Sequence, residues 1–200
     1  MKVLVVGATG TIGQAVVDAL SARHEVVPVS HRRGALRVDI ADQASIARLF
    51  EAAGRVDAVV CTAGAARFRP YASLSDEDFA FSLANKLMGQ VNLVRTGASA
   101  VADGGSFTLS SGILSRSPMP GSTAISLVNA ALEGFARAAA LELPRGIRIN
   151  VVSPGWVTET LRALKMDPST GTPAAVVARA YVRSVEGADT GKVIDALGPA

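Results

Sequence analysis

Apolar residues in this chain come either as short unbroken runs or at the three-and-four spacing of a helix face, and the two patterns alternate from end to end. The first run, Met1-Lys2-Val3-Leu4-Val5-Val6, is too short for a helix and breaks into Gly7-Ala8-Thr9-Gly10-Thr11-Ile12-Gly13. Ile12, Val16, Val17 and Leu20 then share one face, which predicts a helix from Ile12 to about Ala22. Further strands are expected over 25–30, 36–40, 57–60, 105–112, 147–152 and 192–195, and helices over 45–53, 76–102, 123–143 and 173–184. Ser75 and Asp78 cap the helix that opens at 76, and Asp103-Gly104-Gly105 is expected to stop it. Pro168, Gly171 and Pro173 make the segment before the last helix read as mobile. Strands alternating with helices imply a parallel sheet with right-handed crossovers.

The turn after the first run carries the first chemical signal. Gly7 permits a tight turn, Gly10 has no Cβ to hold a pyrophosphate off the backbone, and Gly13 lets the helix lie close to the strand. The helix N-terminus then offers free N–H groups and partial positive charge to phosphates. A dinucleotide is the expected ligand. After the second strand a site for NAD would place a carboxylate to accept from the ribose 2′-OH, but this chain reads Ser30-His31-Arg32-Arg33. A guanidinium forks onto a 2′-phosphate, so Arg32 favours NADP over NAD, while Arg33 reads as part of a solvated turn.

Composition narrows the setting. The 200 residues are expected to form one domain, 1–200, burying roughly 70% of the unfolded surface. Cys61 is the only cysteine, which excludes an intrachain disulfide and suits a reducing compartment. Glycine at position 7 interrupts the opening run, so a signal peptide or membrane span is not expected there and a cytoplasmic location is. A net charge of +3 with no basic run longer than Arg32-Arg33 argues against nucleic acid. His24 and His31 are isolated and read as surface residues, and no metal is expected.

The chain resembles the short-chain dehydrogenase/reductase family along nearly its whole length. The likeness rests on the Gly7 to Gly13 turn, Asp39-Ile40, Ala63-Gly64 where the family has Asn-Asn-Ala-Gly, and Ser110-Ser111. Ala130-Ala131-Leu132-Glu133-Gly134-Phe135, Gly146-Ile147-Arg148-Ile149-Asn150-Val151 and Pro154-Gly155 extend it. The resemblance implies a single-domain Rossmann fold, a doubly wound parallel α/β sheet of about seven strands with helices on both faces. It also implies a nicotinamide cofactor over the carboxyl edge and a small-molecule substrate. The residues it marks for the cofactor are Gly7, Thr9, Gly10, Thr11, Ile12, Gly13, Ser30, Arg32, Asp39, Ile40, Ala63, Gly64, Pro154 and Gly155. The small residues of the helices over 76–102 and 123–143, with the resemblance, imply a homodimer or homotetramer.

The chain also departs from that family. Its Tyr-x-x-x-Lys pair falls on Ile125 and Asn129, neither of which does acid-base work, and Glu159 stands where a threonine often holds the carboxamide. Lys86, three residues before Gly89, falls where the family's catalytic asparagine is expected; it is a candidate proton donor or oxyanion partner, with Ser111 to hydrogen-bond the substrate oxygen. Tyr71 and Tyr181 are expected near the carboxyl edge. The leading expectation is an NADP(H)-dependent oxidoreductase acting on a carbonyl or alcohol. The alternatives are a dinucleotide-binding sensor or partner-binding protein without turnover, and a non-redox isomerase or lyase. Trp156, Leu161, Leu164 and Met166 suggest an apolar pocket wall or the anchor of a lid.

Overall fold

Val3 and Val5 enter one core and Leu4 and Val6 another, so the first strand is covered on both faces. That is the situation of a strand inside a parallel sheet. The computed structural model describes residues 1–197. In it, β1 (Lys2–Val6), β2 (Glu25–Ser30), β3 (Leu36–Arg37), β4 (Val56–Cys61), β5 (Val101–Ser110), β6 (Arg148–Pro154) and β7 (Val193–Ala196) form a sheet. Its seven strands run in the order β3-β2-β1-β4-β5-β6-β7, with every neighbouring pair parallel.

Helices close both faces. On one side lie α2 (Gln43–Ala53), α4 (Gly89–Gly97) and α5 (Thr123–Glu142), contributing Ile46, Phe50, Leu93 and Leu132 to the core. On the other lie α1 (Thr11–Ser21) and α7 (Ala174–Glu186), with Val16, Leu20, Val177 and Tyr181. This is the doubly wound α/β fold that the alternation predicts. Among the described residues α5 is the one helix long and apolar enough, by length and composition, to cross a membrane; here Leu132 and Ala136 pack it onto the sheet.

Boundaries differ where tertiary contacts outweigh local signals. The helix expected over 76–102 is divided into α3 (Asp76–Ser82), a π-helical turn (Leu83–Met88) and α4, which ends at Gly97. Ser75 and Asp78 do form a reciprocal cap at its start. The stop expected at Asp103-Gly104-Gly105 lies inside β5 instead. Pairing to β4 continues past it through a register shift between Val56 and Ala58, with Gly104 at φ +71°. The strand expected over 36–40 shortens to β3: the Val38 N–H makes a last bond to the Ser30 carbonyl at 3.0 Å, after which the chain turns and Ile40 enters the core. The segment with Pro168 and Gly171, which reads as mobile, holds a 3-10 turn (Pro168–Thr170) and follows α6 (Thr158–Ala163). Thr158 N–H donates to the Thr172 carbonyl at 3.0 Å and Thr172 N–H to the Trp156 carbonyl at 2.8 Å, which pins the segment. His24 is half-buried and not free at the surface, with its Nε2 2.9 Å from Glu186.

Tyr181 is the largest fully buried side chain. Its hydroxyl lies 2.6 Å from Ser110 Oγ, which donates to the Cys61 carbonyl at 2.6 Å, so one chain of hydroxyls ties α7 to β5 and β4. Burial pushes the phenol pKa well above its ordinary value. Tyr181→Phe removes one buried hydrogen bond while Ser110 keeps an acceptor. The expected loss is about 1 kcal/mol of unfolding free energy, read from urea denaturation at unchanged m-value.

Candidate functional site

The turn between β1 and α1 is set by a contact between glycines. A Cβ on Gly13 would stand 2.0 Å from the Gly7 carbonyl oxygen, and Gly7 itself has φ +91°. Only glycine at both places lets the helix start this close to the strand. Thr62, at the end of β4, holds the turn from the other side, its Oγ1 3.1 Å from the Val6 carbonyl and 3.2 Å from that of Gly7. Helix α1 begins after Gly10 with no side-chain cap and no acidic residue in its first turn. Its leading N–H groups are therefore left for an anion, and the cradle fits a diphosphate.

Two cavities open along the carboxyl edge of the strands and meet at Thr62 and Gly64. The first, about 600 Å³, is lined by Gly7, Thr9, Gly10, Ser30, Asp39, Ile40, Ala63 and Gly64, all marked from sequence. His31 also lines it, with Nε2 3.8 Å from the Asp39 carboxylate. Arg32 is exposed and outside that lining, and Thr11 and Gly13 sit at and beneath the helix start. The second, about 730 Å³, is lined by Ile12, Gly64, Lys86, Ser111, Pro154 and Gly155 together with Ile125 and Asn129. Neither Tyr71 nor Tyr181 lines either cavity: Tyr71 is 75% exposed and Tyr181 lies under the sheet.

The π-helical turn aims two neighbours differently. Asn85 Oδ1 accepts from the Ala65 N–H at 2.7 Å and fixes the loop after β4, whereas Lys86 runs inward along Gly64. A side chain at Gly64 would meet Lys86 Cγ at 3.0 Å. Lys86 is 9% exposed, and its Nζ donates to the Ser111 carbonyl at 3.2 Å. Burial lowers its pKa from 10.5 to about 8. The Cys61 thiol is itself pushed up to about 12 by burial, so it stays neutral.

Glu133 is a feature that residue spacing did not flag. This buried carboxylate on α5 accepts from Ser111 Oγ at 3.0 Å and from Ser115 Oγ at 2.6 Å. The Ser111 proton is thereby committed away from the cavity, leaving lone pairs toward it. Its one available signal was helical: Ile125, Asn129 and Glu133 recur every fourth residue on one face of α5. Asn129 Nδ2 donates to the Gly112 carbonyl at 3.4 Å, and its buried Oδ1 has no partner among the described residues. Glu159 caps α7 by accepting from the Ala174 N–H at 2.9 Å.

A family profile described as Enoyl-(Acyl carrier protein) reductase matches residues 5–197. Among curated proteins the chain is similar to Oxidoreductase UcpA of Salmonella typhimurium, 33% identical over 135 residues, which is 64% of this chain and 51% of that one. The match thus spans about half the length of that relative. Among solved structures it is similar to the protein lin1944 from Listeria innocua, with 41% identity, a TM-score of 0.94 and 98% of each chain covered. A small-chain dehydrogenase in complex with NADPH is similar at 29% identity and TM-score 0.85, over 98% of this chain and 95% of that one.

Lys86 makes a prediction about stability. Folded Lys86 titrates near 8 and an unfolded lysine near 10.5, so between those values the unfolded chain binds more protons and this residue's contribution to stability rises with pH. At pH 7 holding it charged and buried costs roughly 3 kcal/mol. Lys86→Met is expected to raise unfolding free energy at pH 7 by about 1–3 kcal/mol, the gain fading as pH approaches 10.5, as read from urea denaturation across that range.

Proposed function

Because this chain belongs to the short-chain dehydrogenase/reductase family, we propose that it is an NADP(H)-dependent oxidoreductase acting on a carbonyl or alcohol carbon. The observation that carries this reading is the pair of cavities meeting at Gly64, the first over the glycine turn and the second around a buried lysine. In it Gly7, Gly10, Ile12 and Gly13 seat the pyrophosphate, with Thr9 and Thr11 beside them. Asp39 and Ile40 hold the adenine, Arg32 the 2′-phosphate, and Ala63, Gly64, Pro154 and Gly155 flank the nicotinamide half. The NADPH carried by a similar dehydrogenase supports NADP over NAD. Once bound, the nicotinamide supplies or accepts the hydride.

The chain's own residues handle the oxygen. Lys86, charged below about pH 8, donates a hydrogen bond to a carbonyl oxygen and gives its proton as the alkoxide develops; solvent then restores the ammonium. Ser111, its proton held by Glu133, accepts from the hydroxyl of an alcohol and so orients it. The reduction rate is therefore expected to be flat at low pH and to fall as pH rises through about 8.

Ile125 and Asn129 favour a second reading, a dinucleotide-binding protein without turnover, because the family's usual proton donor is absent from this chain. Titration with NADPH and NADH, then a carbonyl panel on wild type and Lys86→Ala, separates the two. The oxidoreductase reading expects NADPH to bind about 10-fold or more tighter than NADH, Arg32→Ala to erase most of that preference, and Lys86→Ala to cut kcat about 100-fold with binding intact. Nucleotide binding with no oxidation of NADPH by any carbonyl would favour the second.

We also propose a homodimer, extended to a tetramer if a further face pairs. Its basis is the outer side of α4 and α5, where Leu141 is 88% exposed beside a shallow groove between Val94, Ala98, Phe135 and Ala139. Light scattering at micromolar concentration is expected to give at least twice the 20.5 kDa chain mass, and Leu141→Glu to shift it toward that value.

A further inference from the structure

The second cavity combines an apolar body with a small polar end. Phe68 from the loop after β4 and Trp156 from the loop after β6 meet edge to face, 6.4 Å between centroids and 72° between planes. Phe68 also packs over Gly121, where a Cβ would stand 3.1 Å from its ring, so this pair closes the outer wall across three loops. Ile113 and Ile125 line the interior, while Met119, Leu164 and Met166 stay 42%, 55% and 46% exposed at the rim. Among the described lining residues Lys86 is the one ionisable side chain, and it lies at the buried end.

That polar end has a definite sense. Lys86 Nζ and Asn129 Nδ2 anchor on consecutive carbonyls, those of Ser111 and Gly112. Ser111 Oγ gives its proton to Glu133 and so stands there as an acceptor, while Asn129 Oδ1 is buried without a partner among the described residues. The one cation thus stands beside a hydroxyl oxygen that is free to accept. A neutral carbonyl can take the Lys86 N–H, and the alcohol formed from it can donate to Ser111. A carboxylate would meet the lone pairs of Ser111, and a charged or heavily hydroxylated body would lose water along walls whose hydroxyls are few, with Thr160 facing it beyond the buried end.

We propose that the substrate is an apolar carbonyl compound, a ketone or aldehyde with a neutral alkyl or aryl body lying between Trp156, Phe68, Ile113 and Ile125. This rests on the oxidoreductase reading above. In reduction the C=O π bond breaks, a C–H bond forms from the hydride of the reduced nicotinamide, and an O–H bond forms with the proton from Lys86.

Trp156 is the only tryptophan in the chain and stands in this wall, so its fluorescence reports entry of a ligand whether or not it reacts. Straight-chain 2-alkanones of increasing length, with carboxylates of matched length, are titrated into the intact protein with NADP⁺ present and Trp156 emission is followed. The same ketones are then assayed for NADPH oxidation. The expected result is a Kd and KM that fall about 4-fold per added methylene until the cavity is filled, with each carboxylate at least 10-fold weaker than its ketone. Ile125→Ser should weaken the longer ketones and leave NADPH affinity unchanged. An active enzyme with a flat series, or carboxylates that bind more tightly than ketones, overturns this proposal alone. A length gradient in binding without any NADPH oxidation overturns the reductase reading, and with it the ligand's status as a substrate.

Discussion

Parallel pairing is the constraint from which the rest of this molecule follows. Each strand must be followed by a crossover before the next can pair, so every strand ends at the same edge of the sheet. The order β3-β2-β1-β4-β5-β6-β7 reverses direction between β1 and β4, and the loops leaving those two strands diverge to opposite sides. A crevice at that point is a result of connectivity, and side chains only furnish it. Both cavities lie there, meeting at Thr62 and Gly64 just beyond β4.

What furnishes the crevice costs stability. Lys86 is held nearly dry against Gly64, and Glu133 is buried behind Ser111, two ionisable groups that an optimally stable core would exclude. Neither is balanced by a direct ion pair with the other. Lys86 leans on a backbone carbonyl and Glu133 on two serine hydroxyls. The π-helical turn belongs with them, because its extra residue separates the directions of Asn85 and Lys86, sending one to the loop and the other inward.

Membership of a family settles the fold more firmly than the chemistry. The glycine turn and sheet order are shared architecture, whereas Ile125 and Asn129 occupy the place of the resembled family's acid-base pair. Ile125 adds to an apolar wall instead of offering a proton, and Asn129 braces the Gly112 carbonyl. The polar groups at the buried end of the second cavity come from other elements, Lys86 from the π-helical turn and Ser111 just after β5. Glu159 shows the same economy: where a threonine would hold the cofactor, a carboxylate caps α7.

Sequence alone determined the period of each element, the glycine turn and the parallel doubly wound class, because these depend on contacts between residues near in the chain or on patterns that repeat along it. Most of the first cavity was legible for that reason, since Gly7, Gly10, Asp39 and Ala63 each sit just after a strand. Only the tertiary structure decided what depends on packing between distant segments. It ended the helix at Gly97 and carried β5 back through Gly104, since pairing with β4 outweighs turn propensity. It buried Tyr181 beneath Ser110, brought His31 rather than Arg32 to the lining, and ordered 156–172 through Thr172. Above all it set Glu133 against Ser111, 22 residues away in the chain, a pairing that exists only because α5 lies across the end of β5. Local spacing can say which residues share a face, but which faces meet is a property of the folded core.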